Sequence, residues 1–222
     1  MRTINLTMPE KFVNPIFNST KKHRLIKGRR LAGKSESIAR GILVMMLGKV
    51  NGENALCDCR NKEMFLRIIK AHGLDFALTK SGNLENKNGA FIAFAEFHKR
   101  FANDMLTNTY IIWFDDAQHT PIEVLKLSEE YAHKDCVFFY SYNSEAEPFY
   151  LSYHFKDNHD AEFTEVDYLD NPFLPQSLII EIEHCKNTDY EKYKILYHDE
   201  ENKKPTIPRG RIISEDGKEV TK

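Results

Sequence analysis

The chain has 222 residues, of which 41% are hydrophobic and 29% are charged, and its formal net charge is −2. This length suits one α/β domain with a small appended segment. The near-neutral charge excludes a globally basic nucleic-acid-binding protein, so DNA could be contacted only through a local patch, for which residues 21–30 and 98–100 are candidates unless they are ordinary solvated charge.

The hydrophobic pattern alternates between strand-like and helix-like segments along the chain. Apolar runs of strand length lie at residues 23–27, 55–59, 76–79, 90–95, 110–114 and 136–142. Helical periodicity or helix-start signals lie at residues 34–48, 61–74, 98–106, 121–133, 177–186 and 189–198. Residues 80–89 have the composition of a polar turn, and residues 163–169 could be a strand or an extended linker.

This alternation predicts an α/β fold with a mostly parallel sheet flanked by helices and a small helical segment near the C-terminus. We divide the chain into a core at 1–168, a helical closing segment at 169–200, and a polar linker or tail at 201–222. We expect this last segment to be a linker or tail rather than a domain.

Targeting and metal signals are weak. No apolar run is long enough to cross a membrane, and the N-terminal residues lack the apolar core of a signal peptide, so we expect a cytoplasmic protein with no membrane partner. The four cysteines form no CxxC pair and the nine histidines show no zinc-binding spacing, which favours buried free thiols and no transition-metal site.

Residues 28–35, GRRLAGKS, match the phosphate-loop pattern G-x-x-x-x-G-K-[ST]. They lie between a predicted strand and an amphipathic helix, where glycines allow backbone N–H groups to surround a phosphate and the helix N-terminus faces the same anion. Lys34 would reach the β- and γ-phosphates, and Ser35 would ligate Mg²⁺. The alternative is a glycine turn that only caps a helix. The predicted ATP-binding residues are Gly28, Arg29, Arg30, Leu31, Ala32, Gly33, Lys34 and Ser35.

Two arginines lie inside this loop. Arg30 could stabilise charge on the γ-phosphate as an arginine finger in cis, or it could be solvated at the loop tip, and the sequence leaves both alternatives open. For Arg29 the solvated alternative is favoured.

A second acidic motif, YIIWFDDAQ at 110–118, joins an apolar strand to two aspartates. Ligands of open α/β sheets bind at the carboxyl ends of strands, so we expect Asp115 near Mg²⁺ and Asp116 beside the attacking water. The alternative is an acidic pair that caps the next turn. At the end of the following strand, Ser141 and Asn143 could sense the γ-phosphate, or Asn143 could simply start an Asx turn.

Taken together, these residues resemble the large terminase subunit of tailed phages, in particular the PBSX-like group typified by a defective Bacillus prophage. The resemblance extends over residues 12–200 and is carried by 12–35, 55–74, 110–118, 138–144 and 168–200. Its most specific part is YLDNPFLP, at 168–175, which leads into the two last predicted helices.

The resemblance implies a RecA-like, three-layer P-loop ATPase with ATP and Mg²⁺ as cofactors. It implies translocation of double-stranded DNA into a procapsid and a ring-forming oligomer that is monomeric in isolation. The implied partners are a portal protein and a small terminase subunit, met in the host cytoplasm and transiently at the procapsid portal. It matches Arg30 to the family's loop arginine and places the adenine near residues 12–17.

The chain departs from the family pattern in three ways. Leu31 stands where glycine or a small residue is usual, and Asp116 stands where the family usually has Glu. The nuclease domain of the family has no counterpart here, so we expect no nuclease activity and consider a separately encoded nuclease subunit as a further partner. The alternatives are a catalytically weak nucleotide-binding remnant and another DNA-dependent ATPase such as a helicase.

Overall fold

The computed structural model describes residues 6–97, 104–143, 150–197, 211–213 and 219–220, with the backbone alone for 104–105 and for the last two segments. The strands are β1 (Leu6–Met8), β2 (His23–Gly28), β3 (Asn54–Asp58), β4 (Phe76–Leu78), β5 (Leu84–Asn86), β6 (Phe91–Ala95), β7 (Thr109–Phe114), β8 (Val137–Tyr142), β9 (Ala161–Val166), β10 (Arg211–Ile213) and β11 (Glu219–Val220). The helices are α1 (Lys34–Leu47), α2 (Lys62–His72), α3 (Asp104–Thr107), α4 (Ile122–Tyr131), α5 (Tyr150–His154), α6 (Gln176–Thr188) and α7 (Tyr190–Tyr197). Short 3-10 turns lie at Glu10–Phe12, Cys59–Asn61, Ala117–His119 and Tyr168–Asp170, and a π-helical turn lies at Asn14–Asn18.

An eight-stranded sheet in the order β4-β5-β6-β3-β7-β8-β2-β9 forms the centre of the molecule. Every neighbouring pair from β6 to β9 is parallel, and β4 and β5 extend the sheet with antiparallel pairs. The predicted mostly parallel sheet is therefore confirmed. Strand β8 lies between β2 and β7. Because the three strands are parallel, their carboxyl ends lie side by side at one end of the sheet.

Successive side chains of the central strands pack into cores on opposite faces, as the two-residue period of a strand requires. Ile26 packs with residues of α1 and α2 on one face, and Leu25 packs with residues of α3, α4 and α5 on the other. On β7, Trp113 and Phe114 divide in the same way and both are fully buried. Burial on both faces explains the uninterrupted apolar run of this strand and gives three layers, helix, sheet and helix.

A smaller core holds the helical hairpin α6–α7 against the segment that follows β9. Its buried members are Tyr168, Ile182, Tyr193 and Tyr197, and the hydroxyls of Tyr168 and Tyr193 are 3.1 Å apart. We call these four residues the tyrosine cluster. Leu31 of the phosphate loop packs against it, so the hairpin contacts the loop directly.

The polar segment predicted as a turn at 80–89 contains a strand, β5, and that prediction was wrong. Leu84 and Asn86 are buried while Glu85 is exposed. The sequence does not show this alternation as a hydrophobic pattern because one of the two buried residues, Asn86, is polar. The Asn86 amide donates hydrogen bonds to the carbonyls of Met46 and Lys49, at the end of α1. A buried asparagine that satisfies helix-terminal carbonyls looks, in sequence, like a turn residue.

Other elements also differ from the prediction. Residues 163–169, for which the sequence allowed a strand or an extended linker, begin within strand β9. Strand β1 and helix α5 were not predicted. Most of the helix predicted at 98–106 lies outside the described residues, as does the basic candidate at 98–100. The predicted tail contains β10 and β11, and β10 pairs antiparallel with β1.

Two further findings concern thiols and membranes. Cys57 and Cys136 are buried free thiols, whereas Cys59 and Cys185 are partly exposed, so the expectation of burial held for only two of them. Within the described part of the chain, no helix is both long and apolar enough to span a membrane.

Candidate nucleotide-binding site

The phosphate loop connects β2 to α1 and depends on glycine at two positions. Gly33 has φ of 84°, in the left-handed region that glycine adopts without a steric cost. At Gly28 a Cβ atom would lie 2.3 Å from the carbonyl oxygen of Val166 on β9. The two glycines of the motif are thus required by the backbone and by the neighbouring strand, respectively.

The Lys34 side chain is buried and crosses the loop toward β8. Its ammonium donates hydrogen bonds to the carbonyls of Gly28 (2.6 Å) and Arg29 (3.0 Å) and to Oδ1 of Asn143 (3.2 Å). The Lys34 ammonium therefore lies at the end of β8, where the sequence predicted a residue that senses the γ-phosphate. Lys34 and Asn143 therefore lie together, as the functional alternative for Asn143 requires.

Ser35 and Ser141 both bind the carboxylate of Asp115. The Ser35 hydroxyl donates to Oδ1 of Asp115 at 3.0 Å, and the buried Ser141 hydroxyl donates to the same oxygen at 2.6 Å. Ser141 in turn accepts a hydrogen bond from the indole of Trp113 at 2.9 Å. The sequence-predicted metal residues, Ser35 and Asp115, are thus in direct contact, and Ser141 fixes the position of the carboxylate.

The environment of Asp115 opposes its ionisation. Burial raises the pKa of Asp115, and the neighbouring Asp116 carboxylate raises it further, while the hydrogen bonds from Ser141 and Ser35 act in the opposite direction. A carboxylate in this position gains from a nearby cation, because a positive charge favours its ionised form. The site therefore holds a buried acid whose ionised form burial disfavours.

Asp116 adopts a left-handed backbone conformation, with φ of 50°, and its side chain is 41% exposed. The side chain caps no turn, so the helix-capping alternative for the acidic pair is not supported. Its Oδ2 lies 3.6 Å from a guanidinium nitrogen of Arg60. Arg60 is held by two hydrogen bonds to the buried Asp58 carboxylate, at 2.9 and 2.8 Å, and also donates to the Asp115 carbonyl at 2.8 Å.

The tip of the phosphate loop faces the helical hairpin. The Arg29 guanidinium donates to the carbonyl of Ile195, in the last turn of α7, whereas Arg30 is exposed. Leu31 has φ of 65°, which is costly for a residue with a branched side chain, and its carbonyl accepts a hydrogen bond of 2.9 Å from the Asn171 amide. Ala32, within the loop, is buried.

A cavity of about 350 Å³ lies beside the loop. It is lined by Thr7, Pro9, Gly33, Glu36, Ser37, Arg40, Arg67, Asn171, Phe173, Leu174 and Pro175. None of residues 12–17, which the resemblance placed near the adenine, lines this cavity, and Phe12 and Ile16 are buried in the core.

The basic segment at 21–30 is not a continuous surface patch. Arg24 is buried and donates hydrogen bonds to the carbonyls of Pro15, Ile16, Ser19 and Lys21. Burial lowers the pKa of Arg24 to about 10. Its charge therefore holds the N-terminal segment in place and is not available to DNA.

Two groups of site residues were missed in the sequence. Asp58 is the last residue of β3, the neighbour of β7, and Arg60 follows it closely, so the strand-end reasoning applied to β7 would also have selected them. Asn171 lies in YLDNPFLP. A Cβ atom added at Gly33 would lie 3.2 Å from the side-chain amide nitrogen of Asn171. No local sequence signal indicates that contact. Among the described residues, no three His, Cys, Asp or Glu side chains form a cluster able to hold a metal ion.

Three features define a P-loop NTPase with a RecA-like sheet. They are the glycine-rich loop at the end of β2, the lysine inside that loop, and the acidic residue at the end of β7, with β8 between the two strands. The sequence matches the family described as phage terminase large subunit over residues 20–200. The chain belongs to that family.

Known structures have the same fold. The large terminase of a thermophilic bacteriophage superposes with a TM-score of 0.67 at 10% identity, over 88% of this chain and 53% of that protein. The complex of the same terminase with ATP-γ-S gives 0.64 at 11% identity, over 85% and 51%. The ATPase domain of the Thermus phage P74-26 large terminase gives 0.60 at 12% identity, over 86% and 92%. The chain thus spans about half the length of the thermophilic-phage terminase, and a search of curated protein sequences gave no match.

Proposed function

We propose that this chain binds ATP with Mg²⁺ at the loop 28–35 and hydrolyses it as the motor domain of a phage DNA-packaging terminase. The observation that carries the proposal is the convergence of Lys34, Ser35, Asp115, Ser141 and Asn143 at the carboxyl ends of β2, β7 and β8. Family membership and the nucleotide complexes of the thermophilic-phage terminase support the same proposal.

The loop provides the groups that hold the phosphates. The Gly33 conformation begins α1 and turns the first amides of the helix toward a bound anion. Lys34, which bonds to loop carbonyls and Asn143 in this structure, would exchange those partners for phosphate oxygens. Asn143 would then be released to contact the γ-phosphate.

The Ser35 and Asp115 oxygens fit Mg²⁺, which prefers oxygen ligands and is commonly held by one or two carboxylates together with substrate phosphates. The bound ion would neutralise charge on the phosphates. Its charge would also favour the ionised form of Asp115, whose pKa burial raises. Ser141 would keep the carboxylate in the orientation that faces Ser35.

Asp116 is the group that we assign to the attacking water. Its side chain is half-exposed at the end of β7, next to Asp115 in the chain and close to Arg60. The carboxylate would accept the proton of the water or orient it toward the γ-phosphate. Arg30, exposed at the loop tip, is available to stabilise the charge that develops there.

Family membership supports a mechanical role. We propose that hydrolysis drives double-stranded DNA into a procapsid, in a ring of subunits docked on a portal protein and supplied by a small terminase subunit. We also propose that the protein acts in the host cytoplasm. Family membership argues against the helicase alternative.

The test uses two variants and one control. Lys34→Ala removes the charge facing the phosphates and should abolish both tight nucleotide binding and turnover. Asp116→Asn should leave the dissociation constant of MgADP nearly unchanged while lowering turnover by about 100-fold or more, the usual size of a lost general base. Lys70→Ala, at an exposed lysine of α2, should match the wild type.

Phosphate release and nucleotide binding should be measured with and without DNA. Unchanged turnover in Lys34→Ala would refute the proposal. ATP binding by the wild type without turnover under either condition would instead favour the nucleotide-holding remnant.

A further inference from the structure

A buried asparagine stands at the start of α2 without capping it. Asn61 is the last residue of the 3-10 turn that follows β3 and directly precedes the first residue of α2. An asparagine at this position usually accepts a hydrogen bond from a backbone N–H of the first helical turn, and its backbone is usually extended. The Asn61 side chain makes no such bond, and its φ of −88° and ψ of −7° are helical. Helix capping therefore does not explain an asparagine here.

The Asn61 amide nitrogen is buried without a hydrogen-bond partner. The residue is only 7% exposed. Among the described residues, two buried side-chain polar atoms have no partner: Nδ2 of Asn61, and Oε1 of Gln118 in the turn that follows β7. Because β3 and β7 are neighbouring parallel strands, both atoms follow strand ends on the side of the sheet that holds the phosphate loop. An unpaired buried donor is costly, which indicates that it gains a partner when the site is filled.

The turn that carries Asn61 is fixed to the end of β7. The Asp58 carboxylate accepts a hydrogen bond from the backbone N–H of Arg60 at 2.9 Å, and the Arg60 side chain donates to the carbonyl of Asp115 at 2.8 Å. Burial raises the pKa of Asp115, and the Asn61 amide is among the groups that oppose this rise. The Asn61 amide therefore lies close to the Asp115 carboxylate, although its nitrogen makes no hydrogen bond of normal geometry.

The Asp115 carboxylate can accept a further hydrogen bond. Its Oδ1 already accepts from the hydroxyls of Ser35 and Ser141. A carboxylate has about four acceptor sites on its two oxygens, so two donors do not saturate it, and an asparagine amide has two N–H donors to offer. Hydrogen bonds to a carboxylate are strongest when it is ionised, and a bound cation favours the ionised form.

We propose that Asn61 is a positioning residue of the magnesium site, whose amide donates to the Asp115 carboxylate when Mg²⁺ and nucleotide are bound. The inference rests on the proposed binding of Mg²⁺ at Ser35 and Asp115. Side chains that hydrogen-bond a metal-binding carboxylate orient it and tune the affinity for the ion. Asn61 therefore contributes to the affinity for Mg²⁺, and it contributes nothing to the affinity for the phosphates alone.

The first experiment measures the affinity for ATP-γ-S in excess Mg²⁺ and in EDTA. Asn61→Ala removes the amide, and Asn61→Leu removes it while keeping a similar side-chain volume. In both variants the gain in affinity that Mg²⁺ gives should fall by about 10-fold, the size expected for the loss of one hydrogen bond to a charged group. The affinity in EDTA should stay at the wild-type value.

Asn54→Ala is the matched control for this measurement. Asn54 is similarly buried, at 8% exposure, but it lies at the start of β3, and its side chain accepts a hydrogen bond from the backbone N–H of Phe91 on β6. Its variant should keep the full gain in affinity that Mg²⁺ gives to the wild type.

The second experiment measures the stability of the nucleotide-free proteins by urea denaturation. The unpaired amide nitrogen of Asn61 adds no hydrogen bond to this state, so Asn61→Leu should be at least as stable as the wild type. Asn54→Ala should be less stable, because it leaves the Phe91 N–H without its acceptor. If Asn61→Leu is destabilised as much as Asn54→Ala, Asn61 has a structural role and the inference is wrong.

The remaining outcomes separate this inference from the proposed function. A wild-type gain from Mg²⁺ in Asn61→Leu, or an equal loss of affinity with Mg²⁺ and with EDTA, would overturn the role of Asn61 and leave the phosphate site intact. A wild-type protein that binds ATP-γ-S equally well with and without Mg²⁺ would also overturn it. If the wild type binds ATP-γ-S under neither condition, the proposed function fails, and this inference fails with it.

Discussion

Ser141 is fully buried between the indole of Trp113 and the carboxylate of Asp115, and Ser141→Ala should damage stability and turnover together. The change leaves the indole N–H without its acceptor, which costs roughly 1–3 kcal/mol for a buried donor. It also removes a hydrogen bond to a charged group, worth roughly 1.5–3 kcal/mol. Because Asp115 keeps its bond from Ser35, we expect the free energy of unfolding to fall by about 3 kcal/mol rather than by the full sum.

The assay is urea denaturation of the nucleotide-free protein, with turnover measured in parallel. Ser128→Ala is the matched control, since that buried hydroxyl donates only to the Val124 carbonyl of its own helix, at 2.8 Å. Its loss should cost less than about 1 kcal/mol. The denaturation slope should stay constant in both variants, so that the midpoint reports stability. Equal losses in the two variants, or a Ser141→Ala protein with wild-type stability and turnover, would refute the assigned role of Ser141.

Two further predictions concern His23 and Arg60. Burial, helped by nearby Lys22, lowers the pKa of His23 from 6.5 to about 4, so the unfolded chain takes up a proton in this window that the folded chain does not; stability should fall as the pH drops from 6.5 to 4, by up to about 3 kcal/mol. His23→Phe should flatten that dependence in pH-resolved denaturation, whereas His159→Gln, at an exposed histidine, should preserve it, and identical slopes in all three proteins would contradict the assignment. Arg60→Gln removes the cation beside Asp116 and should lower turnover by about 10-fold, less than the loss of a general base, with the dissociation constant of MgADP unchanged. Recovery of turnover in Arg60→Lys would support a positioning role, while a purely weaker nucleotide affinity in Arg60→Gln would argue against it.

The parts of the fold that the sequence predicts are those encoded locally. The run from Tyr110 to Phe114 is apolar because both faces of β7 are buried, and its burial in the structure follows that pattern. The phosphate loop is recognisable for a similar reason, since the glycines and Lys34 act within a few residues of one another. The order of motifs therefore predicts which residues meet at the strand ends, namely Lys34, Ser35, Asp115, Ser141 and Asn143.

The parts that could not be predicted depend on contacts between distant residues. Asn171 binds the carbonyl of Leu31, 140 positions earlier, and nothing near Asn171 indicates that partner. Arg60 reaches Asp116 across two neighbouring strands, and Arg24 looks like surface charge until its carbonyl partners are seen. Asn171 and Arg60 contact oxygens that the sheet brings close, whereas the carbonyl partners of Arg24 lie three to nine positions before it in the chain and carry no recognisable pattern.

The contacts between the loop tip and the helical hairpin have a thermodynamic consequence. Arg29 holds the end of α7, Leu31 packs on the tyrosine cluster, and Asn171 holds the carbonyl of Leu31. A ligand that changes the shape of the loop must therefore do work on the hairpin. Linkage makes this relation reciprocal, so a macromolecule that clamps α7 in one position alters the affinity of the loop for its ligand by the same factor that the ligand alters the clamp. A contact made to the hairpin, outside the phosphate loop, can therefore change the affinity of the loop for its ligand.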